Sequence, residues 1–147
     1  MATNIVKENQ QVIDILSAHV GVVSVNIDED GVRVETTKKL PINIDVNNGI
    51  HFTFLGKSTG EFGIMKCGEI YYAIYERYEG LIEPSVIPLD GEVVIRLCAY
   101  APEVSSDDFT KMFDFIVDLY MDCLCFVYSM LNDEQSITID DDNCCDN

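Results

Sequence analysis

The sequence predicts an α+β domain: an antiparallel sheet of about six strands with an N-terminal helix and a long C-terminal helix. Three observations predict it. Ser106 to Leu131 keeps helical spacing without a Gly or Pro. Much of residues 22–100 falls into short runs of period two, separated by Asp-Gly and Asn-Gly turn signals. Residues 4–18 carry one amphipathic helical pattern ahead of the first strand. Residues 1–132 are then expected to form one domain, with 133–147 as an acidic, mobile tail.

In chain order, Ile5, Val12, Ile13 and Leu16 share one face of the first helix, with Thr3 as its cap and Gly21 just past its end. Val22–Ile27 and Val32–Thr36 alternate around Asp28-Glu29-Asp30-Gly31, which reads as a hairpin. The same acidic residues resemble the front of a calcium loop. The twelfth position is Thr37 rather than Glu, however, and the flanks alternate as strands, so the hairpin reading wins. A second hairpin runs from Leu40–Val46 to Ile50–Leu55 around Asn47-Asn48-Gly49. Ile42, Ile44 and Val46 point one way with Ile50, Phe52 and Phe54, while His51 sits beside Thr53 on the polar face. Gly56, Gly60 and Gly63 fit neither a phosphate loop nor a dinucleotide fingerprint, and this stretch reads as a flexible connection.

Phe62–Cys67 and Glu69–Tyr78 follow. EIYYAIYERY can be a short helix or a strand, and its Ile and Tyr density, bounded by Gly68 and Gly80, favours the strand. Leu81–Leu89 contains Pro84 and Pro88 and reads as a loop or an irregular edge. Glu92–Tyr100 alternates again, and Pro102 ends it.

The long helix begins with Ser105 or Ser106 as cap and with Asp107 and Asp108 at the positive end of its dipole. Its length to Leu131 is about 40 Å. The first half is amphipathic, whereas Leu119–Leu131 is apolar nearly all round, interrupted by Asp122 and Ser129. Such a cylinder must be buried on every side. A second copy of the chain is one cover, which places Leu124, Val127, Tyr128 and Leu131 at a homodimer interface. The N-terminal helix is another.

The net charge is −17, and it is uneven. Residues 1–100 carry 8 basic and 14 acidic side chains, and residues 101–147 carry 1 and 12. Direct nucleic-acid binding is not expected, because few cations are present to neutralise phosphates. The start shows no secretory pattern, and the apolar half of the helix is too short to span a bilayer. A soluble cytoplasmic protein with reduced thiols is therefore expected. No catalytic constellation, metal cluster or cofactor cradle can be assembled from the motifs, and no cofactor is expected. Cys144 and Cys145 stand among aspartates that raise a thiol pKa, which disfavours redox tuning.

Two features point to a partner protein with a basic or amphipathic segment. Asp114, Asp118 and Asp122 recur every four residues, as a solvated face or an acidic rail. Tyr71 and Tyr75, with Tyr72 and Tyr78, offer large contact area at little entropic cost.

Residues 92–128, EVVIRLCAYAPEVSSDDFTKMFDFIVDLYMDCLCFVY, run from a strand through a short Pro/Ser/Asp link into the long helix. In this the chain resembles type III secretion chaperones and the related YbjN-like proteins. The resemblance implies a non-enzymatic, chaperone-like dimer that holds a partner polypeptide. The apolar final half of the helix and the cysteine-bearing tail depart from that pattern. The charge alone suggests a second class, an acidic inhibitor (phage-encoded or immunity-type) that mimics nucleic acid in a basic groove.

Overall fold

The computed structural model describes residues 5–59, 64–90 and 92–135. Its elements are α1 (Asn9–Ser17), β1 (Val22–Asp28), β2 (Gly31–Thr36), β3 (Pro41–Asp45), β4 (Ile50–Thr59), α2 (Ile64–Arg77), β5 (Glu83–Leu89), β6 (Glu92–Ala101) and α3 (Ser106–Gln135). The six strands form one open antiparallel sheet in the order β1-β2-β3-β4-β6-β5. The expected α+β class, with its terminal helices, is the observed one. The chain divides into two compact units, Met1–Phe54 with Cys98–Val117, and Leu55–Leu97 with Asp118–Asn147.

In the first unit the alternation of the strands sets the core. Val32 and Val34 on β2 pair with Ile44 and Ile42 on β3, and Ile44 pairs with Phe52 on β4. All five are fully buried. Phe52 meets Phe109 of α3 with ring centroids 6.0 Å apart. Helix α1 adds Val12 and Leu16, both fully buried. It starts at Asn9, later than the pattern suggested, because the Gln11 side-chain oxygen accepts the backbone N–H groups of Lys7 and Glu8 at 2.7 and 3.0 Å. Ile5 instead forms an antiparallel bridge to Ser105, and the Val6 N–H donates to the Val104 carbonyl at 2.8 Å. The β1–β2 turn is held by Asp28 Oδ1, which accepts the Asp30 N–H at 2.8 Å, so these acids serve a hairpin. Gly31 closes it at φ 126°, where a Cβ would lie 2.4 Å from the Ile44 carbonyl oxygen.

In the second unit the segment expected as a strand is a helix. Cys67, Ile70, Ile74 and Tyr78 are all buried and recur at three- and four-residue steps, and α2 covers 14 residues. Its packing against β5 rewards that period over the local β-propensity of Ile and Tyr. Leu81–Leu89, expected as a loop or an irregular edge, is mostly strand β5. It lies at the sheet edge, the position where Pro84 and Pro88 cost no ladder hydrogen bond. Strand β4 runs on through Gly56 to Thr59, into the stretch read as a flexible connection. Val93, Ile95 and Leu97 point inward from β6, as their alternation predicted.

The apolar half of α3 finds much of its cover within the chain. Leu124, Val127 and Leu131 are buried within the chain itself, the last two completely, and Tyr128 is half-buried. Their demand for cover is met without a second copy, and the homodimer interface loses the observation that suggested it. The helix continues to Gln135, past Leu131, to which the sequence pattern carried it. The expected tail from residue 136 onward, with Cys144 and Cys145, lies outside the described residues.

Gly31→Ala is expected to lower the unfolding free energy by about 2 kcal/mol in urea titration, because it combines a positive φ with a backbone clash. Val127→Asp places a charge at a fully buried site. It should cost about 4 kcal/mol or more and abolish cooperative thermal unfolding, where an interface role would leave a folded monomer.

Candidate protein-binding surface

Helix α2 is apolar on two sides. One side, Cys67, Ile70 and Ile74, is buried. The other side is open. Ile64 is 79% exposed, Met65 83%, Tyr72 64% and Tyr75 47%. At i, i+3 and i+4 spacing, Ile64, Gly68, Tyr71 and Tyr75 form one row, and Met65, Glu69, Tyr72 and Glu76 form the next. Tyr71 stacks on Tyr75 with centroids 6.1 Å apart and planes 13° from parallel. It also meets Tyr72 edge-on at 5.3 Å. The three rings thus form one cluster. Beside them, a Cβ at Gly68 would meet no neighbour within 4 Å among the described residues, so the row has a notch in its middle.

The rotation of α2 that turns these side chains outward is fixed at its C-terminal end. Tyr78 is buried, and its hydroxyl donates to Asp122 Oδ2 on α3. The Arg77 Nε–H donates to the same hydroxyl oxygen at 3.1 Å, and an Arg77 terminal nitrogen lies 3.7 Å from Asp122 Oδ2. The guanidinium sits 4.8 Å over the Phe126 ring, and Phe126 meets Tyr78 edge-on at 6.4 Å. Burial first, and the hydrogen bond to Asp122 second, push the Tyr78 hydroxyl well above the usual phenol range. Cys123, next to Asp122 and fully buried, is pushed up to about 12 by the same loss of water and then by the Asp122 charge.

Asp114, Asp118 and Asp122 all lie on the exposed side of α3, as their spacing predicted. Contacts of Asp122 and Asp114 within the chain are specific. Asp122 holds Tyr78 and Arg77, and Asp114 Oδ1 sits 2.8 Å from His19 Nε2. The other ring nitrogen of His19 accepts the Gly21 N–H at 2.8 Å, and its ring packs edge-on to Phe113 at 5.7 Å. With Gly21 donating to Nδ1, the proton belongs on Nε2, pointing at Asp114. His51 lies against the Tyr100 ring at 4.8 Å. Both histidines have structural surroundings.

Of the residues singled out in the sequence, Tyr71 and Tyr75 are brought together, with Tyr72 beside them, whereas Tyr78 is turned into the core. Ile64, Met65 and Gly68 were missed, because a strand reading of this segment places them on no common face. The four-residue steps Ile70–Ile74 and Tyr71–Tyr75 were the available signal. Cys67, Cys98 and Cys123 are free thiols, and Cys125 is disulfide-bonded, a departure from the reduced thiols expected. Among the described residues, no helix is long and apolar enough to cross a membrane. No known family model matches this chain, and no curated protein does.

The raised thiol gives a pH dependence with a definite sign. An acid whose proton is held more tightly in the fold stabilises fully below its unfolded pKa and loses that contribution as pH rises toward its folded value. The unfolding free energy should therefore fall between the ordinary thiol value of 9.0 and about 12, with Tyr78 adding a loss of the same sign from its ordinary value of 10.0 upward. Urea titrations across that range should show a shallower fall for Cys123→Ala, by up to one proton in the slope.

Proposed function

We propose that this chain is a non-enzymatic, chaperone-like protein-binding module that holds a segment of a partner polypeptide on the open face of α2. The observation that carries the reading is the second apolar side of that helix. Single exposed apolar residues are ordinary, but Ile64, Met65, Tyr71, Tyr72 and Tyr75 are contiguous on one short helix, and such patches mark interaction surfaces. Tyrosine supplies much contact area with little rotamer entropy to lose, and the Tyr71–Tyr75 stack restricts those rings before any partner arrives. The non-enzymatic part is supported by His19, whose two ring nitrogens are both engaged in structural contacts.

The resemblance to type III secretion chaperones and YbjN-like proteins agrees with a partner-holding role. The acidic-inhibitor reading rests on net charge, and its candidate rail on α3 has Asp114 and Asp122 already engaged.

The test compares the full chain with its Met65→Ser/Tyr72→Ser variant as bait in extract of the native host, read by quantitative mass spectrometry. Both positions are exposed, so the variant should keep the parent's circular dichroism and melting temperature. At least one captured protein should fall about tenfold or more in the variant, a loss of about 1.4 kcal/mol of binding. Identical capture by both baits would remove α2 from consideration.

A further inference from the structure

The open face of α2 has an acidic margin. Glu69 and Glu76 follow Met65 and Tyr72 by four residues each, so two carboxylates edge the apolar row on one side. Glu69, mostly exposed, has the Nζ of the largely covered Lys66 at 3.7 Å. Among the described residues, no cation lies within ion-pair distance of Glu76. Arg77, the other cation of the helix, is held by Tyr78, Asp122 and Phe126. From Ile64 to Tyr75 the face extends about 17 Å, or three helical turns.

We infer that this face takes a basic amphipathic helix. Its apolar residues, three and four apart, would seat in the Gly68 notch and along Met65, Tyr72 and Tyr75, with its Lys or Arg residues meeting Glu69 and Glu76. The inference rests on the reading of α2 as a docking surface and adds the chemistry of the occupant. Three physical points select that occupant. A helix has no free ladder of N–H and C=O groups, so an extended segment cannot pair with it as a strand would. A second copy would bring this same acidic margin, on a chain of net charge −17, against itself. A cation reaching Glu76 also passes the Tyr72 ring, where a ring face attracts positive charge.

The test uses fluorescence anisotropy with a labelled helix-forming peptide of about 16 residues, long enough to cover the three turns. It carries Leu at the three- and four-residue steps and Lys elsewhere. A control peptide carries Glu in place of Lys, and the full-length protein is used throughout. The Lys peptide should bind about tenfold or more tightly than the Glu peptide, and less tightly as salt rises. Gly68→Leu, which has open space for its side chain, should keep the fold yet weaken binding about tenfold. Glu69→Lys/Glu76→Lys should reverse the order of the two peptides. If both peptides bind equally and both are lost in Met65→Ser/Tyr72→Ser, the docking face stands and the basic partner falls. If the Lys peptide binds every variant alike, it is held by diffuse charge elsewhere, and the inference falls. The absence of any peptide binding, or self-association that Tyr72→Ser abolishes, would also overturn it.

Discussion

The second unit depends on the rotation of α2, and that rotation is set by one contact. Tyr78 must be buried as a ring and satisfied as a hydroxyl, and Asp122 provides the acceptor. Arg77 completes the arrangement by donating to that hydroxyl, approaching Asp122 and covering Phe126. A buried hydroxyl without a partner costs roughly 1–3 kcal/mol, which makes this geometry hard to exchange for another. Once Tyr78 is fixed, Ile74, Ile70 and Cys67 follow it inward at helical steps, and Tyr71, Tyr72 and Tyr75 are left outside. The open surface is thus a consequence of where the core anchors one residue.

The long helix shows a related point about apolar sequence. Leu119–Leu131 is apolar nearly all round, and such a stretch needs cover. The fold supplies it inside one chain for Leu124, Val127 and Leu131, at about 1.5–3 kcal/mol of burial for each fully covered side chain. On α2, by contrast, Ile64, Met65, Tyr72 and Tyr75 stay exposed along one face. Which apolar residues of a helix find cover is a property of packing, which composition alone does not give.

The charge has several uses within this frame. Asp114 orients the imidazole of His19 against Phe113, and Asp122 anchors Tyr78, so part of the acidic row on α3 serves the fold. Glu69 and Glu76 line the open apolar face instead, where desolvation on contact would strengthen their attraction for a cation. A net charge of −17 in a chain of this size opposes self-association through an exposed apolar row.

The sequence by itself determined the α+β class, the two hairpins and their inward residues, the alternation of β6 and the existence of α3. These follow from local physics: period-two patterns, Asp-Gly and Asn-Gly turns, and a long run without Gly or Pro. Even Gly31 is locally marked, although the backbone of Ile44 that forbids a Cβ there is a distant one. Tertiary structure decided the rest. EIYYAIYERY carries strand-like propensity and helix-like spacing at once, and packing of its Cys67–Ile70–Ile74–Tyr78 side selected the helix. The prolines of Leu81–Leu89 left a loop and an irregular edge both open, and the sheet placed them on an edge, where their missing N–H groups are harmless. Tyr71 and Tyr75 were visible as candidates, but their neighbours Ile64, Met65 and Gly68 join them only once the chain is coiled at 3.6 residues per turn. Which apolar residues remain outside is settled by competition for the core, and no single segment holds that information.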